Sequence, residues 1–306
     1  RYILESYSGV EEGTNLEENA PKIMAKVLGI SAFINRVKLG EAYIESKTSK
    51  GTDPVNNFVN MMYKDTKTID STQKLEAVQE AMNKLLILHA DHEQNCSTFT
   101  GRLVISSKAD PYAATSAAIN ALSGPSHGGA NQKVLEQMKR IKDEYSGDFQ
   151  DFLDKRIKTK EEKLMGFGHA VYKNAPDPRA MVIKESADKL LEAVEADGET
   201  TELLRIAKGL EDIGLNDKEF NPEGKFNPNV DFYSGILYKA LGLPEDMFTV
   251  MFAAGRTPGW LSHMKEQTSH KDTIDKSGDP VIMRPRQIYT GHNQRDFKTI
   301  DTRVAA

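Results

Sequence analysis

The sequence predicts an all-α protein, and three observations predict it. Apolar side chains recur every three to four residues in the strongest patterned stretches, several of those stretches open on Asp-Pro, and sustained apolar–polar alternation is almost absent. From 72 to 88, Leu75, Val78, Met82, Leu85 and Leu86 make one apolar stripe with Lys74, Glu76 and Lys84 left to water, which predicts an amphipathic helix ending at His89. Asp110-Pro111 joins an N-cap to a first-turn proline, and the alanine-rich run behind it predicts a closely packed helix to Leu122, stopped by Gly124-Pro125. Asp177-Pro178 gives the same start signal, with Val182, Ala187, Leu190, Leu191 and Val194 at helical intervals. Pro244-Glu245 is expected to begin a helix that Gly255 ends, and Pro258 to begin another through Leu261 and Met264. The charge-rich stretches 139–163 and 195–229 read as the exposed outside of a smaller middle unit, their charges mostly on solvated helix faces.

Composition narrows the function classes. With 306 residues, 39% hydrophobic and 28% charged, the chain has ample material for a large core, and its length suggests about two domains. Forty basic against 45 acidic side chains leave a formal charge of −5, so no general attraction to a phosphate backbone is expected and nucleic acid is not an expected partner. The longest apolar runs, 85–88 and 248–254, fall far short of the ~20 residues a membrane helix needs. Cys96 is the single cysteine; without an intramolecular disulfide or a signal-peptide pattern, a reducing, cytoplasmic setting is expected. The sequence opens on Arg1 rather than Met, which is expected of a processed chain or one that starts inside a longer product.

The chemistry-bearing residues cluster in short motifs. His127 in GPSHGGAN and His169 in GFGHAVYK are flanked by glycines, which allow a ligand to approach the backbone, and imidazole near neutral pH can donate, accept and shuttle protons. Either one alone could equally be structural. HADHEQNC places His89 and His92 three apart with Asp91, Glu93 and Cys96 nearby, a spacing that permits a metal site on one helix face. Lacking CxxC or HExxH, no metal is expected; His89 reads instead as helix-end packing and His92 as a donor to a ligand. Arg179 in PDPRA, Arg256 in AAGRTPGW, and Arg284 and Arg286 in RPRQ each sit beside Pro or Gly, at expected helix ends, where a guanidinium fork can be aimed inward at carboxylates. Converging with the histidines, they would suit a small polyanionic acid. Asp231 in NPNVDFYSG lies between Val230 and Phe232, a setting that can raise a carboxylate pKa and make a competent base, although an N-cap role for the next helix fits equally well.

Taken in order, HADHEQN, GPSHGGAN, GFGHAVYK with DPRA, NVDFYSG, AAGRTPGW and RPRQIYTG closely resemble citrate synthase, the bacterial type II group most of all, from about Asn57 to Phe297. The resemblance implies an all-α fold with a large domain at 1–128 and 245–306 and a smaller inserted domain at 129–244. It also implies a homodimer or dimer-based oligomer in the bacterial cytoplasm that condenses oxaloacetate with acetyl-CoA and water, giving citrate and CoA. Carried over to this sequence, Asp231 would remove a methyl proton from acetyl-CoA while His127 donates to the thioester oxygen. His169 would polarise the oxaloacetate carbonyl. His92, Arg179, Arg256 and Arg284 would bind oxaloacetate, Arg284 from a second copy of the chain. Gly166, Phe167 and Gly168 match the loop that holds the adenine of CoA, with Lys173 or Lys225 reaching its phosphates. No metal or cofactor is implied, since acetyl-CoA is a substrate.

The sequence departs from the family pattern in three places. KNAPDPR is one residue longer than usual between His169 and Arg179, SHKDTIDKSGDP lengthens the approach to Arg284, and the N-terminal segment usual in the type II group is expected to be missing. Three other functions stay open at this stage: a 2-methylcitrate synthase using propionyl-CoA, since one methylene is worth only about 1–3 kcal/mol of discrimination; an inactive CoA- or dicarboxylate-binding fragment; and a helical metal-binding protein built on His89, His92, Glu93 and Cys96.

Overall fold

The computed structural model describes residues 15–46, 51–66, 68–169, 171–172, 175–297 and 299. Among the described residues the regular structure is helical, with only two isolated β-bridges, Phe167 to Pro228 and Ile274 to Pro280. In chain order the helices are α1 (Leu16–Leu39), α2 (Pro54–Tyr63), α3 (Thr72–His89), α4 (Cys96–Ile105), α5 (Pro111–Leu122), α6 (Ala130–Glu144), α7 (Phe149–Phe152), α8 (Pro178–Ala193), α9 (Gly198–Asn216), α10 (Val230–Ala240) and α11 (Phe248–Ser269).

Local chemistry explains most starts. Asp110 accepts from the backbone N–H groups of Tyr112 and Ala113, and Asp177 caps α8 through the N–H of Arg179; in each case Pro follows the cap. Asn15, Asp53, Ser71, Asn95, Asp197 and Asn229 cap α1, α2, α3, α4, α9 and α10 in the same way. The helices expected at 72–89, 111–122 and from 178 are therefore present at the expected limits.

The expected break near Gly255 is not. α11 runs unbroken through Gly255 and Pro258 to Ser269. The glycines serve packing rather than termination: a Cβ on Gly255 would lie 2.8 Å from the Cβ of His89, and one on Gly259 would lie 2.1 Å from the carbonyl oxygen of Ala90. Pro258 costs the helix one hydrogen bond, which the packing of its neighbours offsets, Trp260, Leu261 and Met264 all being buried.

Two apolar clusters make the core. The larger joins Phe58, Met62, Met82 and Leu85 to Val134, Ile183, Leu210 and Leu237. The smaller packs Ile23 and Val27 of α1, Ala114 and Ala118 of α5, and Trp260 and Met264 of α11. α11 lies against α1, α3, α4 and α5, so one long helix supports the turn between α3 and α4 on which much of the candidate chemistry sits.

Candidate active site

Five segments converge: the 89–97 turn after α3, the glycine-rich turn before α6, the 166–179 segment before α8, the start of α10 and the middle of α11. The His127 Nε2 lies 2.9 Å from the Ser97 hydroxyl and accepts from the Ser97 backbone N–H at 3.3 Å. A backbone N–H can only donate, so Nε2 is unprotonated and the ring proton sits on Nδ1. Ser97 is fixed in turn, accepting from the indole N–H of the buried Trp260 at 3.1 Å and donating to Asn95 at 2.8 Å. The same logic applies to His169, whose Nδ1 accepts from the Val171 N–H at 3.0 Å, leaving Nε2–H as its donor.

His169 and His92 stand edge to face with ring centroids 4.6 Å apart. The Tyr172 hydroxyl lies 3.3 Å from Nε2 of His92, and the Arg179 guanidinium sits 5.8 Å from the Tyr172 ring centre. Arg179 is held in a two-pronged contact with buried Asp177, at 3.0 and 2.8 Å. The same carboxylate accepts from the N–H of Val230 at 3.0 Å, so one side chain ties Arg179 to the start of α10. Arg256 is buried in mid-helix, not at a helix end as expected from its Gly and Pro neighbours, and its Nε donates to the His89 carbonyl at 2.6 Å.

Asp231 is the second residue of α10; the capping position belongs to Asn229, whose side chain accepts from the Asp231 N–H at 3.0 Å. This removes the N-cap alternative. Burial pushes Asp231 up from 3.8 to about 6, against the pull of Arg179 and Arg256. Burial, with Arg256 adding to it, holds His127 below its ordinary value; burial, with Arg179, does the same to His169. His92 falls to about 4 through burial and then Arg179, and Arg256 to about 10 through burial and then Arg179. Near neutrality the site thus holds an ionised carboxylate, neutral imidazoles of which His127 and His169 have assigned donors, and two guanidiniums. Such a set can remove a weakly acidic proton, donate to two developing oxyanions and neutralise a small polyanion.

His89 does not share a helix face with His92, because α3 ends at His89 and His92 lies in the turn beyond. Its ring is buried, Nδ1 bonding the Leu85 carbonyl at 2.8 Å, with the ring edge against Phe252. Among the described residues no cluster of three or more His, Cys, Asp or Glu has metal-binding geometry. Arg284 is exposed in the irregular 280–297 segment and makes none of the site contacts above within its own chain. The Gly166–Gly168 loop is pinned to the chain before α10: Gly168 N–H donates to Asn227, Asn229 N–H donates to Gly166, and both glycines have left-handed φ, 75° and 79°. Lys225 is exposed and paired with Glu223 on that facing segment, whereas Lys173 lies outside the described residues.

Sequence reasoning missed Ser97, Trp260, Tyr172 and Asp177. Ser97 was findable, because the second residue of a helix capped by Asn95 carries an N–H with no partner inside the helix. Tyr172 and Asp177 sit inside motifs already singled out, but a sequence cannot say which motif residues face each other.

Comparison with known proteins places this arrangement. Residues 3–286 match the family model described as "Citrate synthase, C-terminal domain". Citrate synthase 1 of Mycobacterium tuberculosis is 44% identical over 304 residues, 99% of this chain and 66% of that protein. The citrate synthase of Corynebacterium glutamicum is 44% identical over 285 residues, 92% of this chain and 60% of that protein. The chain thus spans less than two thirds of the length of these relatives. Among solved structures, the Thermoplasma acidophilum citrate synthase in ternary complex with carboxymethyl coenzyme A and oxaloacetate matches with a TM-score of 0.78 at 30% identity, covering 99% of this chain and 73% of that one. The Thermotoga maritima citrate synthase matches with a TM-score of 0.72 at 30% identity, covering 99% and 75%.

Proposed function

The chain belongs to the citrate synthase family, and on that premise we propose that it condenses acetyl-CoA with oxaloacetate and water to give citrate and CoA. The observation that carries the reading is Asp231, a carboxylate lifted to about 6 yet under the pull of both Arg179 and Arg256. Ionised at neutral pH, it takes a methyl proton from acetyl-CoA. A thioester α-proton is too weakly acidic for a carboxylate alone, so the developing enolate oxygen needs a donor, and His127 Nδ1–H supplies it. The new carbon nucleophile attacks the oxaloacetate carbonyl, whose oxygen accepts from His169 Nε2–H and takes that proton as the carbon–carbon bond forms; His169, neutral beforehand, regains a proton from water, so the imidazole returns to its neutral form. Arg179, Arg256 and His92 hold the substrate carboxylates. Water then cleaves citryl-CoA to citrate and CoA, and this hydrolysis drives the sequence forward, so the reading calls on no metal or redox group.

Further parts of the reading rest on the family resemblance. The adenine of CoA lies against the Gly166–Gly168 loop, with Lys225 or Lys173 near the phosphates. The 129–244 unit closes on the remainder to exclude water until condensation is complete. The working form is a homodimer or a larger dimer-based assembly, and Arg284, exposed in one copy, completes the site of another. No described helix is long and apolar enough to cross a membrane, which agrees with a cytoplasmic enzyme.

The test is CoA-thiol release by the purified chain with oxaloacetate, comparing acetyl-CoA and propionyl-CoA and recording the sedimentation state. Faster release from acetyl-CoA supports the reading; faster release from propionyl-CoA replaces it with methylcitrate formation. No release from a folded dimer that binds oxaloacetate reduces it to ligand binding.

A further inference from the structure

Outside the residues assigned so far, α11 presents one further polar side chain to the turn between α3 and α4. His263 lies one helical turn beyond Gly259 and two beyond Arg256 on a single face. Its Nε2 is 3.1 Å from Oδ1 of Asp91, the residue before His92. Its Nδ1 is 3.1 Å from an Arg102 nitrogen that can only donate, so Nδ1 accepts and the ring proton lies on Nε2, pointed at Asp91. Arg102 is buried and is itself held by Glu266 and by the His263 carbonyl. Glu266, Arg102, His263 and Asp91 therefore form a single chain of contacts from α11 and α4 to the turn that carries His92.

The turn needs such a hold. It lies beyond the last hydrogen-bonded residue of α3, and Glu93, next to His92, adopts a left-handed φ of 59° that costs a non-glycine residue energy. Asp91 also lies beside the face of α11 that carries Arg256: its Oδ1 is 3.0 Å from where a Cβ on Gly259, one turn from Arg256, would stand, and its charge acts on that guanidinium. A carboxylate released from His263 would compete with an anionic substrate for that guanidinium.

We propose that His263 is a positioning residue that holds the Asp91–His92 turn and keeps the Asp91 carboxylate off Arg256, so that both His92 and Arg256 meet the substrate carboxylates correctly placed. The substrate part rests on the citrate synthase reading; the hold on the turn does not.

The experiment compares His263→Leu, His263→Gln and His263→Asn with the unaltered chain. A glutamine amide reaches the place of Nε2 and can donate to Asp91, whereas asparagine reaches only that of Nδ1. His263→Leu and His263→Asn are expected to raise KM for oxaloacetate about tenfold with kcat and KM for acetyl-CoA within about twofold, and His263→Gln to restore it. Asp91→Ala combined with His263→Leu is expected to be no worse than His263→Leu alone, because the two act through one contact. Hydrogen exchange of residues 89–95 in the ligand-free chain is expected to quicken in His263→Leu and to recover in His263→Gln. An unchanged KM in His263→Leu, a loss confined to kcat, or failure of His263→Gln to rescue overturns the proposal. If the unaltered chain turns over no oxaloacetate, the functional reading falls, and exchange of 89–95 alone decides whether His263 holds the turn.

Discussion

The backbone N–H of Ser97 points at Nε2 of His127 from 3.3 Å, and that contact decides which face of the imidazole can act. With Nε2 accepting, Nδ1–H is the donor, and no proton has to move before a thioester oxygen can use it. His127→Ala is expected to lower kcat by on the order of 10²–10³, as loss of one oxyanion donor does elsewhere, while oxaloacetate affinity stays within about twofold. Calorimetric titration of oxaloacetate beside steady-state kinetics checks this. A loss of affinity matching the loss of rate would move His127 into substrate binding.

Ser97→Ala separates the two functions of that serine. The variant keeps the backbone N–H that faces His127 but removes the acceptor of the buried Trp260 indole N–H. An orphaned buried donor costs about 1–3 kcal/mol. Chemical denaturation is expected to show a loss of that size, with kcat falling less than tenfold. A larger loss of kcat than this would mean that the hydroxyl, not the backbone, sets the tautomer of His127.

Asp231→Asn is expected to abolish turnover and to make the folded chain more stable at pH 7. The folded pKa is raised from 3.8 to about 6, so folding favours the protonated carboxyl. Relative to the unfolded chain, that contribution is fully present below about pH 4 and is lost as pH rises through about 6. Above it, the native state carries a buried charge on the order of 1–3 kcal/mol dearer than in water. The amide removes that cost. Its gain in denaturation free energy should therefore be present at pH 7 and vanish near pH 4, and an equal gain at both would mean that ionisation of Asp231 is not its source. The same titration governs rate: kcat/KM is expected to climb with pH through about 6 as Asp231 ionises; His127 and His169 are held below their ordinary values, so any loss of a proton from them adds to the same rising limb.

Much of this site was legible in the sequence because it resides in short contiguous motifs. His127, His169, Arg179 and Asp231 each lie within two residues of a Gly, Pro or Asn that fixes the local backbone, and capping chemistry located the starts of α5 and α8. What escaped was tertiary. The single-residue rules for Gly255 and Pro258 gave a break, because nothing local reveals that the end of α3 needs two glycines on the opposing helix. Ser97 and Asp177 matter for the groups that they bring together across 30 and 53 residues of chain.

Gly259→Ala tests that packing. An alanine inside an exposed helix normally gains about 1 kcal/mol over glycine. Here the new Cβ would fall 2.1 Å from the Ala90 carbonyl oxygen and 3.0 Å from the Asp91 carboxylate, so either α11 or the 89–92 turn must shift. A stability loss of about 2 kcal/mol is expected by denaturation, together with a raised KM for oxaloacetate. Gly198→Ala, with nothing within 4 Å of its Cβ at the start of α9, is the control and is expected to be neutral or stabilising. Equal behaviour of the two variants would show that α11 and the turn are not in close contact.

Arg256→Lys distinguishes charge from geometry. Both side chains carry one positive charge, but only the guanidinium can keep one N–H on the His89 carbonyl while presenting other donors, in a plane, to a carboxylate. A lysine must choose. If its ammonium takes the His89 carbonyl, the substrate loses its fork; if it reaches for the substrate, a carbonyl buried at the end of α3 loses its donor. Burial that already lowers Arg256 to about 10 will depress an ammonium too, so some of the positive charge is lost as well. KM for oxaloacetate is expected to rise about 10- to 100-fold, equivalent to about 1.4–2.8 kcal/mol of lost binding, with KM for acetyl-CoA nearly unchanged. Steady-state kinetics with each substrate varied in turn measures both, and an unchanged oxaloacetate KM would take Arg256 out of the pocket and leave it only the task of anchoring α3 to α11.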